Sequence, residues 1–283
     1  MRLLLNLFKL RIGVAIALAA VAGLAVTPGA MAGWKVALLT LAVLVSSAAA
    51  GAFNQYVERD IDARMQRTRG RPFVTGSLAH GPRWLWVIGA MTAASVLAAA
   101  AASNWLAAFH VFMGAFTYGV VYTVWLKRRT AWNIVVGGLA GSFAVMAGAT
   151  AVAPEASPAA WWLAVVLFLW TPPHFWSLAI LCREDYAAAG VPMLPVVVGD
   201  AACARVIFAS AAVLVASSIA PALAGLGLAY LVPTVLGGAL FLWKSWLLVR
   251  HPGPPAARGA FRASLLQLGL VRAGALADAV ARG

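Results

Sequence analysis

Long apolar stretches alternate with short polar gaps along almost the whole chain. Nine of these stretches are long enough to cross a bilayer as α-helices, which takes about 20 apolar residues each. They span residues 10–29, 34–56, 83–102, 105–125, 132–153, 159–182, 203–224, 227–249 and 260–280. Arg272 and Asp278 interrupt the last stretch, so we expect this helix to tilt or Arg272 to extend towards an interface. The pattern predicts an all-α, polytopic membrane protein with about nine transmembrane helices.

The polar gaps differ in charge. Most lysines and arginines fall in every second gap, at 57–82, 126–131, 183–202 and 250–259, and the N-terminus adds Arg2, Lys9 and Arg11. Because cytoplasmic loops are enriched in these residues, we expect the N-terminus and the basic gaps to face the cytoplasm, in the inner membrane of a bacterium. The first helix also resembles a signal peptide, but its removal would expose a flank of the bundle, so we expect it to be retained.

Composition supports one membrane-embedded domain. The 283 residues are 63% hydrophobic and 10% charged, whereas about a quarter of the residues of a soluble domain are charged. The net charge of +13 would suit a nucleic acid, but membrane topology explains where the charges lie, so we predict no nucleic-acid partner. The two cysteines show neither a metal-type spacing nor a disulfide framework. We expect residues 1–283 to form a single domain in contact with membrane lipid.

The acidic residues are concentrated at one place. Only eight Asp and Glu residues occur, and three of them, Glu58, Asp60 and Asp62, directly follow the second apolar stretch. Asn54, Glu58 and Asp62 are spaced i, i+4, i+8, which places them on one face of an α-helix. Three oxygen-bearing side chains in one row suit Mg²⁺, which also binds waters and phosphate oxygens. Asp60 points elsewhere, where it would support the row or pair with Arg64 at i+4.

Arginines follow this acidic row directly. Arg67 and Arg71 lie in a segment that Gly70 and Pro72 predict to be a loop, and arginine binds phosphate through two parallel hydrogen bonds. Cations beside a metal site suggest a substrate that carries a phosphate ester. The alternative is a solvated, ion-paired helix end that satisfies the cytoplasmic excess of basic residues. That excess explains the arginines but not the acids among them.

The row resembles the first aspartate-rich motif, Asn-x-x-x-Asp-x-x-x-Asp, of the intramembrane aromatic prenyltransferases of the UbiA superfamily. Glu58 stands where these proteins usually have aspartate, and the exchange keeps the carboxylate. The resemblance implies a helical bundle around a central cavity that opens to the cytoplasmic side. It also implies that Asn54, Glu58, Asp62 and Asp185 hold Mg²⁺ on the diphosphate of a prenyl donor.

The segment at 170–195 resembles one particular branch of this superfamily. His174 follows two prolines inside the sixth stretch, where it is either a buried histidine satisfied by one hydrogen bond or a functional residue. Further on, Asp185 has Ala189 at the i+4 position where the superfamily's second motif has another aspartate. The sequence Glu-Asp-Tyr-x-x-Ala-Gly-Val-Pro-Met-Leu-Pro is instead similar to one branch of the family, whose members transfer a farnesyl group from farnesyl diphosphate to a vinyl group of heme b. In that branch His174 would orient the porphyrin or its reacting vinyl group.

The resemblance implies a mechanism and partners. Arg67 and Arg71, together with Lys127 and Arg128, would neutralise the diphosphate as the carbon–oxygen bond breaks. A dry pocket would protect the farnesyl cation until the vinyl group attacks it, and water would add afterwards. A heme A synthase or the assembly of a terminal oxidase would take the product.

Three alternatives remain from the sequence. A prenyltransferase of the same fold could act on a phenolic acid or a chlorophyllide. A transporter or a heme-handling protein without chemistry would be expected to carry its acids at mid-membrane, whereas nearly all acids here fall at one predicted face. A structural or assembly subunit gives no reason for the row from Asn54 to Asp62.

Overall fold

The computed structural model describes residues 2–282, and that part of the chain is helical with no β-strand. The first helices are α1 (Arg2–Leu7), α2 (Leu10–Ala25), α3 (Gly33–Val57), α4 (Arg59–Arg64), α5 (Pro72–Thr75) and α6 (Arg83–Ala102). Helix α7 (Trp105–Phe116) continues as a π-helix over Thr117–Leu126. The remaining helices are α8 (Asn133–Gly137), α9 (Leu139–Val152), α10 (Pro158–Leu181), α11 (Arg183–Ala188), α12 (Leu194–Ser217), α13 (Ala220–Leu223), α14 (Leu228–Arg250) and α15 (Pro254–Arg282).

The helices match the predicted apolar stretches. Within the described residues, eight are long and apolar enough to cross a membrane when α7 is counted with its π-helix, α8 with α9, and α12 with α13. Helix α2 has 16 residues and is shorter than these. The prediction of an all-α, multi-pass membrane protein is confirmed, and the count of nine includes the shorter α2.

A short helical segment precedes the seventh predicted stretch. It begins at Leu194, with Pro195 in its first turn, where the N–H that proline lacks would have no helical partner. Gly199 then has φ 79° and ψ 165°, a non-helical conformation that glycine adopts without a steric penalty, so α12 consists of two helices that meet at a kink. The helix after the kink corresponds to the stretch predicted at 203–224.

The last helix accommodates Asp278, one of the two charges that interrupt its apolar pattern. Helix α15 runs unbroken for 29 residues. Asp278 Oδ1 accepts a hydrogen bond from the Gly227 N–H at 2.7 Å, and Asp278 Oδ2 lies 2.8 Å from Arg282 Nε. The acid therefore joins the start of α14 to the end of α15, so that it supports the helix pair where the sequence indicated only an interruption.

Small residues bring the helices close together. A Cβ atom added at Gly148 of α9 would overlap the carbonyl oxygen of Ala20, and one added at Gly23 of α2 would overlap that of Val145. The two backbones therefore touch at both places, which is a common arrangement where membrane helices cross. This contact holds α2 directly against α9.

Candidate active site

The acidic row keeps its helical spacing although the helix that carries it is interrupted. Helix α3 ends at Val57 and α4 begins at Arg59, with Glu58 between them. The Glu58 N–H still donates to the Asn54 carbonyl oxygen at 2.9 Å, and the Asp62 N–H donates to that of Glu58 at 2.8 Å. The helical period is thus kept, and Asn54, Glu58 and Asp62 are all buried.

Two cations neutralise the buried carboxylates. Lys127 Nζ lies 2.6 Å from Glu58 Oε1. The Arg71 guanidinium is hydrogen-bonded to Asp62 Oδ2 and lies 3.9 Å from Glu58 Oε2. Burial raises the pKa of Asp62, while Arg71 acts in the opposite direction. Removing one member of such a group would leave an unpaired buried charge, which is costly.

Lys9 belongs to the same cluster, although the sequence suggested for it only a role in topology. Its Nζ donates to Asn54 Oδ1 at 2.6 Å and to the Tyr118 hydroxyl at 3.1 Å. Asn54 in turn donates through Nδ2 to Thr123 Oγ1 at 3.0 Å. Burial, followed by the charge of Arg71, lowers the pKa of Lys9 to about 7. A basic residue directly before the first apolar stretch was the only signal for it in the sequence.

A π-helix positions the residues that face the row. In the segment Thr117–Leu126 the backbone bonds skip one residue more than in an α-helix, and the Lys127 N–H continues this pattern by donating to Tyr122 O at 2.9 Å. π-Helical turns occur frequently at functional sites. Here the wider turn brings Tyr118, Thr123 and Lys127 towards the ends of α3 and α4.

Asp185 reaches the site from a different gap in the sequence. Its carboxylate accepts hydrogen bonds from the backbone N–H groups of Gln66, at 2.9 Å, and Arg67, at 3.2 Å. The exposed Arg67 side chain lies within electrostatic reach of Asp62 and Asp185. The loop after α4 is therefore clamped to the start of α11, which places the two acidic segments around one arginine.

The donor set fits Mg²⁺ only in part. Among the described residues, no three His, Cys, Asp or Glu side chains lie close enough together to hold one ion. The side chains of Glu58 and Asp62 do share Arg71, and carboxylate oxygens suit Mg²⁺ when waters and phosphate oxygens complete its shell. The Asn54 oxygen is taken by Lys9, and Asp185 is held by the backbone of the 66–67 loop.

Arg128 and Asp60 bind each other. Both terminal nitrogens of Arg128 bind the Asp60 carboxylate, at 2.7 and 2.8 Å, and its contact with a diphosphate stays a prediction. The expected pairing of Asp60 with Arg64 was wrong, because the arginine fork of Arg128 matches the carboxylate with two parallel bonds. This pair lies on the exposed side of the site.

His174 lies on a separate aromatic stack. Its ring is stacked on Trp170, at 4.0 Å between centroids, and on Phe261 of α15, at 4.7 Å. Nδ1 is 2.7 Å from Ser264 Oγ, and that hydroxyl donates to the Phe261 carbonyl oxygen, so Nδ1 is the donor in the first bond. These contacts join α10 to α15, and none of them involves the acidic row.

The fold and this paired acidic row define a membrane-embedded enzyme of a known class. The chain belongs to the UbiA prenyltransferase family, whose sequence profile matches residues 15–268. The family predicted from the Asn54–Asp62 row is thereby confirmed, and the protein is a prenyltransferase.

Curated relatives cover the chain from end to end. Protoheme IX farnesyltransferase 2 of Paramagnetospirillum magneticum is 57% identical over 284 residues, which covers 100% of this chain and 99% of that protein. Protoheme IX farnesyltransferase 1 of the same organism is 44% identical and covers 97% of each. The chain is thus similar over its full length to proteins of one branch of the family.

Solved structures show the same fold at low identity. A UbiA homolog from Aeropyrum pernix K1, in its apo form, matches with a TM-score of 0.76 and 21% identity, over 100% of this chain and 99% of that one. A UbiA homolog from Archaeoglobus fulgidus bound to DMAPP and Mg²⁺ matches with a TM-score of 0.72 and 16% identity, over 95% and 99%. These matches establish the fold.

Proposed function

We propose that the protein transfers the farnesyl group of farnesyl diphosphate to a vinyl group of heme b, with release of diphosphate. The observation that carries this proposal is the pair of buried carboxylates, Glu58 and Asp62, held by Arg71 and Lys127 at the end of an apolar bundle. The names of the full-length relatives support the choice of heme b as acceptor and farnesyl diphosphate as donor.

The acidic residues would hold Mg²⁺. Glu58 and Asp62 supply buried oxygens beside one another, and Asp185 supplies a further carboxylate next to Arg67. Asn54 would contribute its oxygen if Lys9 turned away from it. When bound, Mg²⁺ would offset the negative charge of the diphosphate and favour its departure.

The basic residues would bind the diphosphate oxygens. Arg71 has five N–H groups and uses only part of them on Asp62, so it can also donate to a phosphate oxygen. Lys127 and Lys9 point into the same cluster, and Arg67 lies beside it. These cations would stabilise the charge that collects on the departing oxygen, where fixed donors contribute most.

The remaining steps need a site that excludes bulk water and holds one reacting water molecule. The allylic carbon–oxygen bond breaks and its electron pair leaves with the diphosphate. The vinyl π-electrons then form the new carbon–carbon bond, and water adds to the cation on the other vinyl carbon and loses a proton. Stacked rings of Tyr118 and Tyr122, 5.6 Å apart, lie next to Lys127 and present aromatic faces that can stabilise a cation.

We place the protein in the inner membrane of a bacterium, with the acidic row at the cytoplasmic face. The basic gaps in the sequence support this orientation. Heme b would enter from the lipid, and the product would pass to a heme A synthase or into the assembly of a terminal oxidase.

Product analysis tests the proposal. Purified protein in lipid nanodiscs, supplied with farnesyl diphosphate and Mg²⁺, should convert heme b into a heme whose mass is increased by a farnesyl group and a hydroxyl group. A chelator should stop the conversion. If a phenolic acid is prenylated under the same conditions and heme b is not, the protein is a prenyltransferase for a different acceptor. Absence of any prenylated product would favour a non-catalytic heme or ion carrier.

A further inference from the structure

The amine of Lys9 occupies one of the four oxygen-bearing groups that were predicted to hold Mg²⁺. Its Nζ lies 2.6 Å from Asn54 Oδ1 and 3.1 Å from the Tyr118 hydroxyl. The Asn54 side chain also donates through Nδ2 to Thr123 Oγ1 at 3.0 Å, so both of its polar ends are engaged. A Mg²⁺ ion can therefore bind the Asn54 oxygen only after the amine has left it, because two cations that share one oxygen repel each other.

The backbone holds Lys9 in this position. Lys9 separates α1 from α2 and has φ 46° and ψ 42°, in the left-handed region that residues other than glycine seldom adopt. Such a conformation persists where the surrounding contacts impose it. Here Gln55 Nε2 donates to the carbonyl oxygens of Asn6, at 2.6 Å, and Leu7, at 3.2 Å, and so ties the end of α1 to α3. The residue before Gln55 on α3 is Asn54, which receives the lysine amine.

Lys9 is also the cation of this cluster that has no carboxylate partner among the described residues. Lys127 is paired with Glu58. Arg71 is paired with Asp62 and lies close to Glu58. Three cations thus face two carboxylates, and a metal ion that entered alone would add to the excess of positive charge. A diphosphate would reverse this balance, because its oxygens offer the lysine amine a charged acceptor in place of a neutral amide.

We propose that Lys9 is an interlock, a residue that makes metal binding conditional on the diphosphate. In the empty protein its amine occupies the Asn54 oxygen, and when a diphosphate binds, the amine moves to the diphosphate and frees that oxygen for Mg²⁺. The site then holds the metal tightly only together with the diphosphate. The metal strengthens diphosphate binding by the same factor, because such coupling is reciprocal. This inference rests on the proposed function, because it takes the acidic row as the place where metal and diphosphate meet.

Metal binding to the empty protein tests the interlock without any turnover. Mn²⁺, whose free ion is counted by electron paramagnetic resonance, replaces Mg²⁺ in titrations of the protein in phosphatidylcholine nanodiscs at one fixed pH. Lys9→Met should bind Mn²⁺ at least about tenfold more tightly than wild type, because the Asn54 oxygen is free and the charge of the amine is gone. Lys35→Met, at the opposite end of α3, is the matched control and should keep the wild-type affinity.

A double-mutant cycle separates the interlock from simple charge repulsion. In an Asn54→Ala background the lysine has no oxygen to block, so the gain in Mn²⁺ affinity from Lys9→Met should be at least about fivefold smaller there. An equal gain in both backgrounds would overturn the inference, because the lysine would then act through its charge alone. Tyr118→Phe removes only the second acceptor of the amine and should raise the affinity by about two- to fivefold. This milder variant keeps the inference testable even if Lys9→Met does not fold.

Diphosphate binding gives the reciprocal measurement. The affinity of wild-type protein for radiolabelled inorganic diphosphate should rise at least about tenfold when Mg²⁺ is added. This gain should be smaller in Lys9→Met and unchanged in Lys35→Met. The inference would not survive an equal gain in wild type and Lys9→Met.

Failure of the inference and failure of the proposed function give different results. If wild type prenylates heme b while Lys9→Met leaves the Mn²⁺ affinity of the empty protein unchanged, the interlock is overturned and the proposed function stands. If the coupling is found but no heme is prenylated, the interlock stands and the proposed acceptor is wrong. If wild type binds neither Mn²⁺ nor diphosphate, both proposals fail.

Discussion

The buried carboxylates of the acidic row are stable inside the bundle because cationic side chains lie directly against them. Glu58 is bound by Lys127, and Asp62 by Arg71, which also approaches Glu58. The side chain of Asp62 is 3% exposed, whereas that of Asp60, two positions earlier, is 57% exposed and pairs with Arg128 at the surface. Two acids that are almost neighbours in sequence therefore have different energetic roles, and they form a matched pair for mutagenesis.

Asp62→Asn should reduce prenyl transfer by roughly 10²–10³-fold, since it removes a charged oxygen from the place where the leaving group is proposed to bind. The protein should remain folded in the membrane, because asparagine keeps the size of the side chain and Arg71 still faces the Glu58 carboxylate. Asp60→Asn should retain turnover and change stability by about 0–1 kcal/mol, as is usual for an exposed ion pair. Steady-state kinetics in nanodiscs and size-exclusion profiles measure both effects. Equal activity of the two variants would contradict the proposed role of the row.

Lys9 should make stability depend on pH. Its pKa is lowered from 10.5 to about 7 in the folded protein, chiefly by burial and then by Arg71. Between these two values the unfolded chain binds a proton that the folded protein does not, so stability rises with pH above about 7, by at most about 1.4 kcal/mol per pH unit. Below the folded pKa this contribution is constant. The apparent melting temperature in detergent should therefore increase from pH 7 to pH 8.5, and it should increase less in Lys9→Met. Parallel pH profiles would show that Lys9 is already charged at neutral pH.

At the level of helices, glycine and alanine decide how closely the elements pack. Helices α2 and α9 touch backbone to backbone at Gly23 and Gly148. A change that separates them would disturb the packing of the bundle.

Gly148→Ala should destabilise the protein by about 1–3 kcal/mol, because the added methyl group overlaps the Ala20 carbonyl oxygen and forces the helices apart. Gly89→Ala is the control, since nothing lies within 4 Å of a Cβ atom at Gly89. It should be neutral or slightly stabilising. Thermal unfolding in detergent, followed by tryptophan fluorescence, compares the two. A similar melting temperature for both variants would mean that α2 and α9 can separate at little cost.

The sequence predicted the helices well and the contacts between them poorly. The row at Asn54, Glu58 and Asp62 could be found because its spacing repeats with the helical period, which the break at Glu58 does not disturb. The bond between Lys9 and Asn54 joins positions 45 residues apart and depends on how α2 packs on α3, so no local pattern signals it. No local pattern signals the π-helix before Lys127 or the pairing of Asp60 with Arg128 either.

Across the whole molecule, the polar gaps sort onto two ends of the bundle. Contacts link the N-terminal Lys9, the gap after α3, the gap after the π-helix and the gap after α10, through Lys9–Asn54, Lys127–Glu58 and Gln66–Asp185. These are four of the five basic segments that were predicted to share one face, the fifth being 250–259. The opposite gaps also meet, since Ser157 Oγ donates to Val26 O at 3.0 Å and Asn104 Nδ2 to Thr150 O at 2.8 Å.

Cysteine labelling would determine which end faces the cytoplasm. In a background where Cys182 and Cys203 are replaced by alanine, single cysteines are introduced at Ser77, in the basic gap after α5, and at Glu155, between α9 and α10; both sites are exposed. If the basic end is cytoplasmic, a membrane-impermeant maleimide should label Glu155→Cys on intact cells and Ser77→Cys only after permeabilisation. The reverse pattern would place the acidic row outside the cell, away from a cytoplasmic supply of prenyl diphosphate. Labelling of both sites on intact cells would contradict two separate ends.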